Sequence, residues 1–198
     1  MSVWRGCGGT GRFLHGVKEE GAWGKHGFTH GSEPKARDAH ERHSIAVDVV
    51  AYDVPGWGVG ELYLLGDRLL YHELPRAGAA AAAADGHPLV DQIQAHFRGE
   101  RVSFGDVELD VEWTTPFQRG LAEALRGIPW GEVVTYGELA ALAGRPNAAR
   151  AAGTFCAENR FPLVVPCHRV VSVGGLGGYG SLGIDYKRRL LALEGVEL

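Results

Sequence analysis

Cysteine is scarce in this chain: Cys7, Cys156 and Cys167 are the only three in 198 residues. An odd number without a Cys-x-x-Cys pair excludes a disulfide framework. Each thiol must therefore be core filler, metal ligand or nucleophile. Cys7 stands among His15, His26 and His30 with no recognised zinc spacing, so no metal and no cofactor are expected. Long apolar runs are also missing. No stretch approaches the roughly 18 residues needed to span a bilayer, and the N-terminus lacks the apolar core of a secretory signal. A reducing compartment away from membranes is the expectation. The third absence is an excess of positive charge. Lys and Arg number 20 against 24 Asp and Glu, a net charge of −4, which over the whole chain argues against gripping a polyanion.

What remains is 45% hydrophobic and 22% charged, an ordinary globular composition for one full-sized domain or two small ones. Residues 1–43 hold nine of the 30 glycines and five of the nine histidines with no periodicity, and read as a poorly ordered leader. From 44 the pattern changes. Residues 44–54, 59–65 and 68–74 read as strands, with Pro55-Gly-Trp-Gly58 and Gly66-Asp67 as turns and Pro75 ending the third. Residues 76–87, with six consecutive alanines at 79–84, read as a solvent-exposed linker, and a helical turn fits the polyalanine as well. Residues 88–97 carry apolar side chains at helical spacing, with Gly99 closing the helix. Residues 107–113 alternate as a half-buried strand, completing a small α/β unit over 44–113.

A second unit, 114–198, opens on Thr115-Pro116, a good helix cap and first turn. Its helix runs to Gly127; two shorter helices follow, over 137–143 and from 148 to 157, joined by Gly144-Arg-Pro-Asn147. That outlines a helix-turn-helix, and an ordinary αα-hairpin fits the same pattern. The last helix is small on almost every face, with Arg150 its one long side chain near the start.

Phe161-Pro-Leu-Val-Val-Pro-Cys-His-Arg-Val-Val171 is the segment richest in chemistry. An apolar run delivers Cys167 at a bend with His168 and Arg169 directly after it. Imidazole and guanidinium both favour the thiolate, the form that attacks. A buried inert thiol is the plainer meaning of a lone Cys in a strand. Neighbouring side chains on a strand point apart, so His168 would reach the sulfur through a water. Cys156, without a basic neighbour, reads as core or pocket wall.

Pro166-Cys167-His168-Arg169-Val170 resembles the active-site signature of the O6-alkylguanine-DNA alkyltransferases. Val134-Thr-Tyr136-Gly-Glu-Leu-Ala, Ala148-Ala149-Arg150-Ala151-Ala-Gly153, Asn159, Gly177-Gly-Tyr179 and Lys187 to Glu194-Gly195 follow the family's order and approximate spacing. The resemblance is strong over about 114–195. It implies an α+β fold, with a small N-terminal α/β (RNase H-like) domain and a mostly helical C-terminal domain carrying a winged-helix-like helix-turn-helix. It implies that Cys167 accepts the alkyl group in one displacement, acting once. His168 relays the thiol proton through water, Glu194 orients the imidazole, and Tyr136 donates toward the guanine. Asn159 holds the turn before the cysteine, and Lys187 fixes its loop. Val170, Tyr179 and Ser181 shape the pocket, with Gly174–Gly178 as a flexible wall.

A base stacked in a duplex cannot reach a buried thiol, so the nucleotide must flip out. Arg150 matches the residue that fills the vacated space, and Ala149, Ala151 and Gly153 suit a helix pressed into the minor groove. The implied partner is double-stranded DNA containing O6-alkylguanine, bound by a monomer in the cytoplasm, at the nucleoid or nucleus. Departures from the family are Arg160 where Pro is common, a shifted glycine loop, and a leader without a zinc-ligand set. Two other readings compete: a non-catalytic relative that binds alkylated DNA and flags it, in which the reactive Cys is replaced, and a Cys-His hydrolase, which leaves Arg150 and Tyr136 unused. The charge objection becomes local. Residues 44–113 carry four basic and twelve acidic side chains, whereas 114–198 carry nine and seven. Weak, salt-sensitive binding to undamaged DNA is therefore expected.

Overall fold

The computed structural model describes residues 46–78 and 86–198; the leader, Cys7 and the alanine run lie outside the described residues. The order of elements is β1 (Asp48–Val54), β2 (Gly58–Leu65), β3 (Arg68–Arg76), α1 (Pro88–Phe97), β4 (Glu108–Leu109), α2 (Pro116–Arg126), β5 (Val134–Thr135), α3 (Tyr136–Leu142), α4 (Ala149–Ala157), β6 (Val170–Val171) and α5 (Gly183–Leu193). The fold is α+β. Strands β1 to β3 form an antiparallel meander, and β4 joins β3 in parallel. A second, two-stranded parallel sheet pairs β5 with β6.

Local chemistry explains most boundaries. Gly66-Asp67 turns β2 into β3, and in β2 Gly60, Leu62 and Leu64 alternate inward. At position 60 a Cβ would lie 2.5 Å from the Tyr52 ring, so only glycine lets Tyr52 cross the sheet face. Helices α2 and α3 each start on a capping box, Thr115 with Gln118 and Thr135 with Glu138. In each, threonine and its partner satisfy amide groups that a helix start leaves open. Gly144, at φ 81°, stops α3 before the turn to α4.

Three expectations need correction. β3 runs through Pro75 to Arg76, because the register slips between Val59 and Glu61 and leaves Pro75 in the irregular stretch, where a missing N–H breaks little. The strand expected over 107–113 is only Glu108–Leu109. After Asp110 donates to Leu69 the chain turns, tied by Thr114 N–H to Val111 O at 3.0 Å and Trp113 Nε1 to Asp110 O at 2.8 Å. The apolar run 161–166 is no strand either. Val165 N–H closes a helical turn on Phe161 O at 2.7 Å, and Leu163 sits at φ 69°.

A continuous apolar core links the sheet side chains Tyr52, Leu62 and Leu69 with Ile93 of α1, Leu121 and Leu125 of α2, Leu139 of α3 and Leu190 of α5. Replacing fully buried Leu125 by Ala should lower the unfolding free energy by about 3 kcal/mol. Leu142→Ala, on a side chain 63% exposed, should change it by less than about 0.5 kcal/mol. Urea denaturation of both variants checks this; equal losses would contradict the assigned core.

Candidate active site

The chain reaches Cys167 from α4 through a turn built on Asn159. Asn159 Oδ1 accepts from Phe161 N–H at 3.0 Å, and Nδ2 donates to Val165 O at 2.7 Å and to Cys167 Sγ at 3.1 Å. Residues Cys167–Arg169 then form one 3-10 turn rather than a strand. In such a turn successive side chains fan out by about a third of a revolution. Cys167 faces the cavities, while His168 and Arg169 point into the protein and are buried.

Glu194, at the end of α5, collects them. Its carboxylate accepts from His168 Nε2 at 2.8 Å, from Arg169 Nε and Nη2 at 2.9 Å each, and from Gly131 N–H at 3.2 Å. Arg169 Nη1 also donates to Ile128 O at 2.6 Å, so the segment Ile128–Gly131 is part of the site. Burial would raise the Glu194 carboxyl, yet the hydrogen bonds and charges of His168 and Arg169 outweigh it and hold it at about 2. A carboxylate only accepts, so His168 Nε2 carries its proton and Nδ1 is left with a lone pair. That Nδ1 is buried and has no partner among the described residues. Burial also lowers the imidazole pKa against the pull of Glu194, so the resting ring is neutral.

Cys167 is raised above the ordinary thiol range by burial, opposed by the Asn159 hydrogen bond, the Lys187 charge and the Tyr179 hydroxyl. The groups that favour the thiolate are therefore not the expected neighbours. Arg169 is consumed by Glu194, and it is Asn159, Lys187 and Tyr179 that act on the sulfur. Lys187 is fully buried without a carboxylate; its Nζ donates to Val170 O and Leu176 O at 2.5 Å each and to Gly178 O at 3.4 Å. It thereby pins β6 to the glycine loop. Burial lowers its pKa.

Two cavities meet at Cys167. One, of about 200 Å³, is lined by Tyr136, Gly153, Cys156, Gly178 and Tyr179. The other, of about 170 Å³, extends toward β3 past His72, Pro162 and Ser181. Cys156 walls both, as expected of it. Tyr136, first residue of α3, stands between two glycines: a Cβ on Gly177 would lie 3.1 Å from its hydroxyl, and one on Gly153 3.8 Å from its ring. Burial raises the Tyr136 pKa, so it carries a proton to donate. Ala149, Arg150 and Ala151 are exposed on α4, whose start has no side-chain cap. The Arg150 side chain makes no hydrogen bond or ion pair among the described residues.

Two buried histidines belong here that no sequence motif singled out. His96 of α1 places Nε2 4.0 Å from Glu194 Oε1, with its ring 4.9 Å from Trp130 and 6.0 Å from His168. Burial drives it down to about 3, so it is neutral. Its spacing, three residues after Ile93 and seven after Leu89, placed it beside the buried helix face. His72 shares its inward face with Leu74. His96, His168 and Glu194 bring ligand atoms within 4.8 Å of one another. The Arg169 guanidinium already neutralises that carboxylate, so a divalent cation would meet an uncompensated positive charge.

Residues 116–196 match the family model for the DNA-binding domain of 6-O-methylguanine DNA methyltransferase. A methylated-DNA–protein-cysteine methyltransferase of Mycolicibacterium paratuberculosis is 47% identical over 123 residues, 62% of this chain and 68% of that protein. One from Methanosarcina acetivorans is 49% identical over 105 residues, 52% of this chain and 65% of that one. Among solved structures, Mycobacterium tuberculosis OGT in complex with DNA superposes with a TM-score of 0.62 at 38% identity, covering 74% of this chain and 92% of that one. The O6-methylguanine-DNA methyltransferase of Pyrococcus kodakaraensis gives 0.59 at 28% identity, covering 76% and 100%. With the thiol, the carboxylate-bound histidine and the α3–α4 pair in one ordered site, the chain belongs to the methylated-DNA–protein-cysteine methyltransferase family.

Proposed function

We propose that this chain repairs O6-alkylguanine in DNA by direct reversal, moving the alkyl group to Cys167 in a single irreversible turnover. The observation that carries the reading is the buried Cys167 thiol beside a histidine whose Nε2 is committed to Glu194 and whose Nδ1 is bare. A water between the thiol and Nδ1 takes the sulfur's proton and passes one to the imidazole, leaving Glu194 to balance the imidazolium. The S–C bond forms as the C–O6 bond breaks. The electron pair moves into the guanine, and Tyr136 stabilises the developing negative charge by donating its proton or a hydrogen bond. A thioether is stable to water, so the protein is consumed.

Helices α3 and α4 act as the helix-turn-helix of a winged-helix-like unit, set in the minor groove as a monomer. Arg150 enters the stack in place of the flipped nucleotide, with Ala149, Ala151 and Gly153 allowing close approach. Support comes from the exposed Arg150 side chain, without a hydrogen bond or ion pair among the described residues, and the small residues around it. Tyr179 and Ser181 line the cavities of the alkyl pocket, and Val170, itself buried, shapes it through the Lys187 contact. Residues 44–113 serve as an RNase H-like scaffold and 114–198 as the alkyltransferase unit, with 1–43 as a leader. The protein works in the cytoplasm, at the nucleoid or nucleus; among the described residues no helix is long and apolar enough to cross a membrane.

Incubation with an O6-methylguanine oligonucleotide should add about 14 Da to Cys167, one methyl replacing one hydrogen, and nothing to Cys167→Ser. Bound DNA without an adduct would favour the lesion-flagging alternative. Arg150→Ala should slow transfer from duplex DNA by about tenfold or more while leaving reaction with free O6-benzylguanine within about twofold. Equal losses would remove Arg150 from the flipping role. Glu194→Gln should slow transfer by about a hundredfold and, by stranding Arg169, lower stability at pH 7 by about 3 kcal/mol. The folded carboxyl lies at about 2 against about 4.3 unfolded, so its contribution is complete above about pH 5 and fades as pH falls toward 2. Acid denaturation should show that loss in the wild type, and Glu194→Gln should lack that component.

A further inference from the structure

β3 is paired to β4 only at Arg68 and Leu69. Beyond them its edge meets the turn before the cysteine. His72 N–H donates to Arg160 O at 2.9 Å, and His72 Nδ1 lies 2.7 Å from Pro162 O. A carbonyl only accepts, so Nδ1 carries the proton and Nε2 holds the lone pair. The Tyr52 hydroxyl, 2.6 Å from Nε2, then donates. Tyr52 and His72 are each 1% exposed. Burial pushes His72 down to about 4, with the Pro162 carbonyl opposing, so the ring is neutral and this single tautomer holds at neutral pH. The carbonyls fixed by His72 flank Phe161, whose N–H is bound by Asn159, and Asn159 in turn donates to Cys167 Sγ.

We propose that His72 is a positioning residue for alkyl transfer: it clamps residues 160–162 to the sheet so that the Asn159 amide stays on the Cys167 sulfur. The sheet thereby sets the reactivity of a thiol carried by another part of the fold. Without the His72 side chain, Pro162 O loses its donor; residues 160–161 keep the backbone bond from His72 N–H to Arg160 O, the Arg160–Trp113 contact and the packing of Phe161 in the core, but the turn loosens at Pro162 and the donor that favours the thiolate is lost for part of the time. The other titratable groups that act on the sulfur, Lys187 from α5, Tyr136 from α3, Cys156 from α4 and Tyr179 after the glycine loop, make no hydrogen bond to His72 among the described residues. The proposal rests on Cys167 being the alkyl acceptor.

The test uses the full chain with His72→Leu, His72→Asn and Tyr52→Phe. Alkylation of Cys167 by iodoacetamide is followed across pH by peptide mass spectrometry, beside single-turnover transfer from an O6-methylguanine duplex and DNA binding. His72→Leu should raise the pH midpoint of Cys167 alkylation and slow transfer by about tenfold at unchanged DNA affinity. His72→Asn, which restores a donor toward Pro162 O, should recover most of that rate. His72→Leu combined with Asn159→Ala should be no slower than Asn159→Ala alone. A His72→Leu protein with the wild-type midpoint and transfer rate, even with a lowered melting temperature, overturns the proposal. If that variant does not fold, Tyr52→Phe decides: a smaller shift in the same direction supports the clamp, and no shift overturns it. Shifted iodoacetamide midpoints in a protein that takes no methyl from DNA would overturn the repair reading and leave the clamp standing.

Discussion

The carboxylate of Glu194 is the group on which the rest of the site depends. An ionised carboxyl buried to 5% exposure is tolerable only if it is neutralised and its lone pairs are filled. Arg169 supplies the charge, while His168 and the Gly131 amide fill the remaining positions. The Ile128–Gly131 turn therefore has to pack under α5, and the 3-10 turn has to send two consecutive side chains inward. Because Arg169 balances the charge at rest, His168 can stay neutral, with Nδ1 holding a lone pair that meets no partner among the described residues. His96, dry and uncharged against Trp130, closes this compartment on the side of α1 without adding a competing charge.

Reactivity is arranged in layers around that group. Burial keeps the Cys167 thiol protonated at rest, which would protect it in the proposed role of an acceptor used only once. Three groups then lower the cost of ionisation, the Asn159 amide, the Lys187 ammonium and the Tyr179 hydroxyl; in the proposed reaction the His168–Glu194 pair is the base. Lys187 serves two ends with one side chain. Its hydrogen bonds to Val170 and Leu176 tie the strand after the cysteine to the loop that walls the cavity, and its charge lies near the sulfur. The acidic side chains are concentrated over residues 44–113, leaving the face of α3 and α4 less burdened by repulsion of phosphate.

Local chemistry was legible wherever it involves neighbours along the chain. The caps at Thr115 and Thr135, the Gly66-Asp67 turn and the span of α1 follow from residues a few positions apart. The ordered set from Tyr136 to Glu194 pointed to the family because its members recur at fixed intervals. Sequence pattern and structure part where a partner decides the conformation. Residues 107–113 alternate like a strand, but only Glu108 and Leu109 find β3 beside them. Residues 161–166 look like a buried strand, yet Asn159 bonds both ends of the segment and winds it into a turn.

Sequence by itself determined which groups this protein has for chemistry: one thiol followed by imidazole and guanidinium, a carboxylate 26 residues after His168, and a small-residue helix bearing one arginine. Only the tertiary structure decided what each of them does. Arg169, adjacent to the cysteine in the chain, serves Glu194, whereas His72, 90 residues from Pro162, is placed at the cysteine turn. The reason is directional: hydrogen-bond donors act along the line to their acceptor, and that line is set by packing between elements, which distance along the chain does not encode.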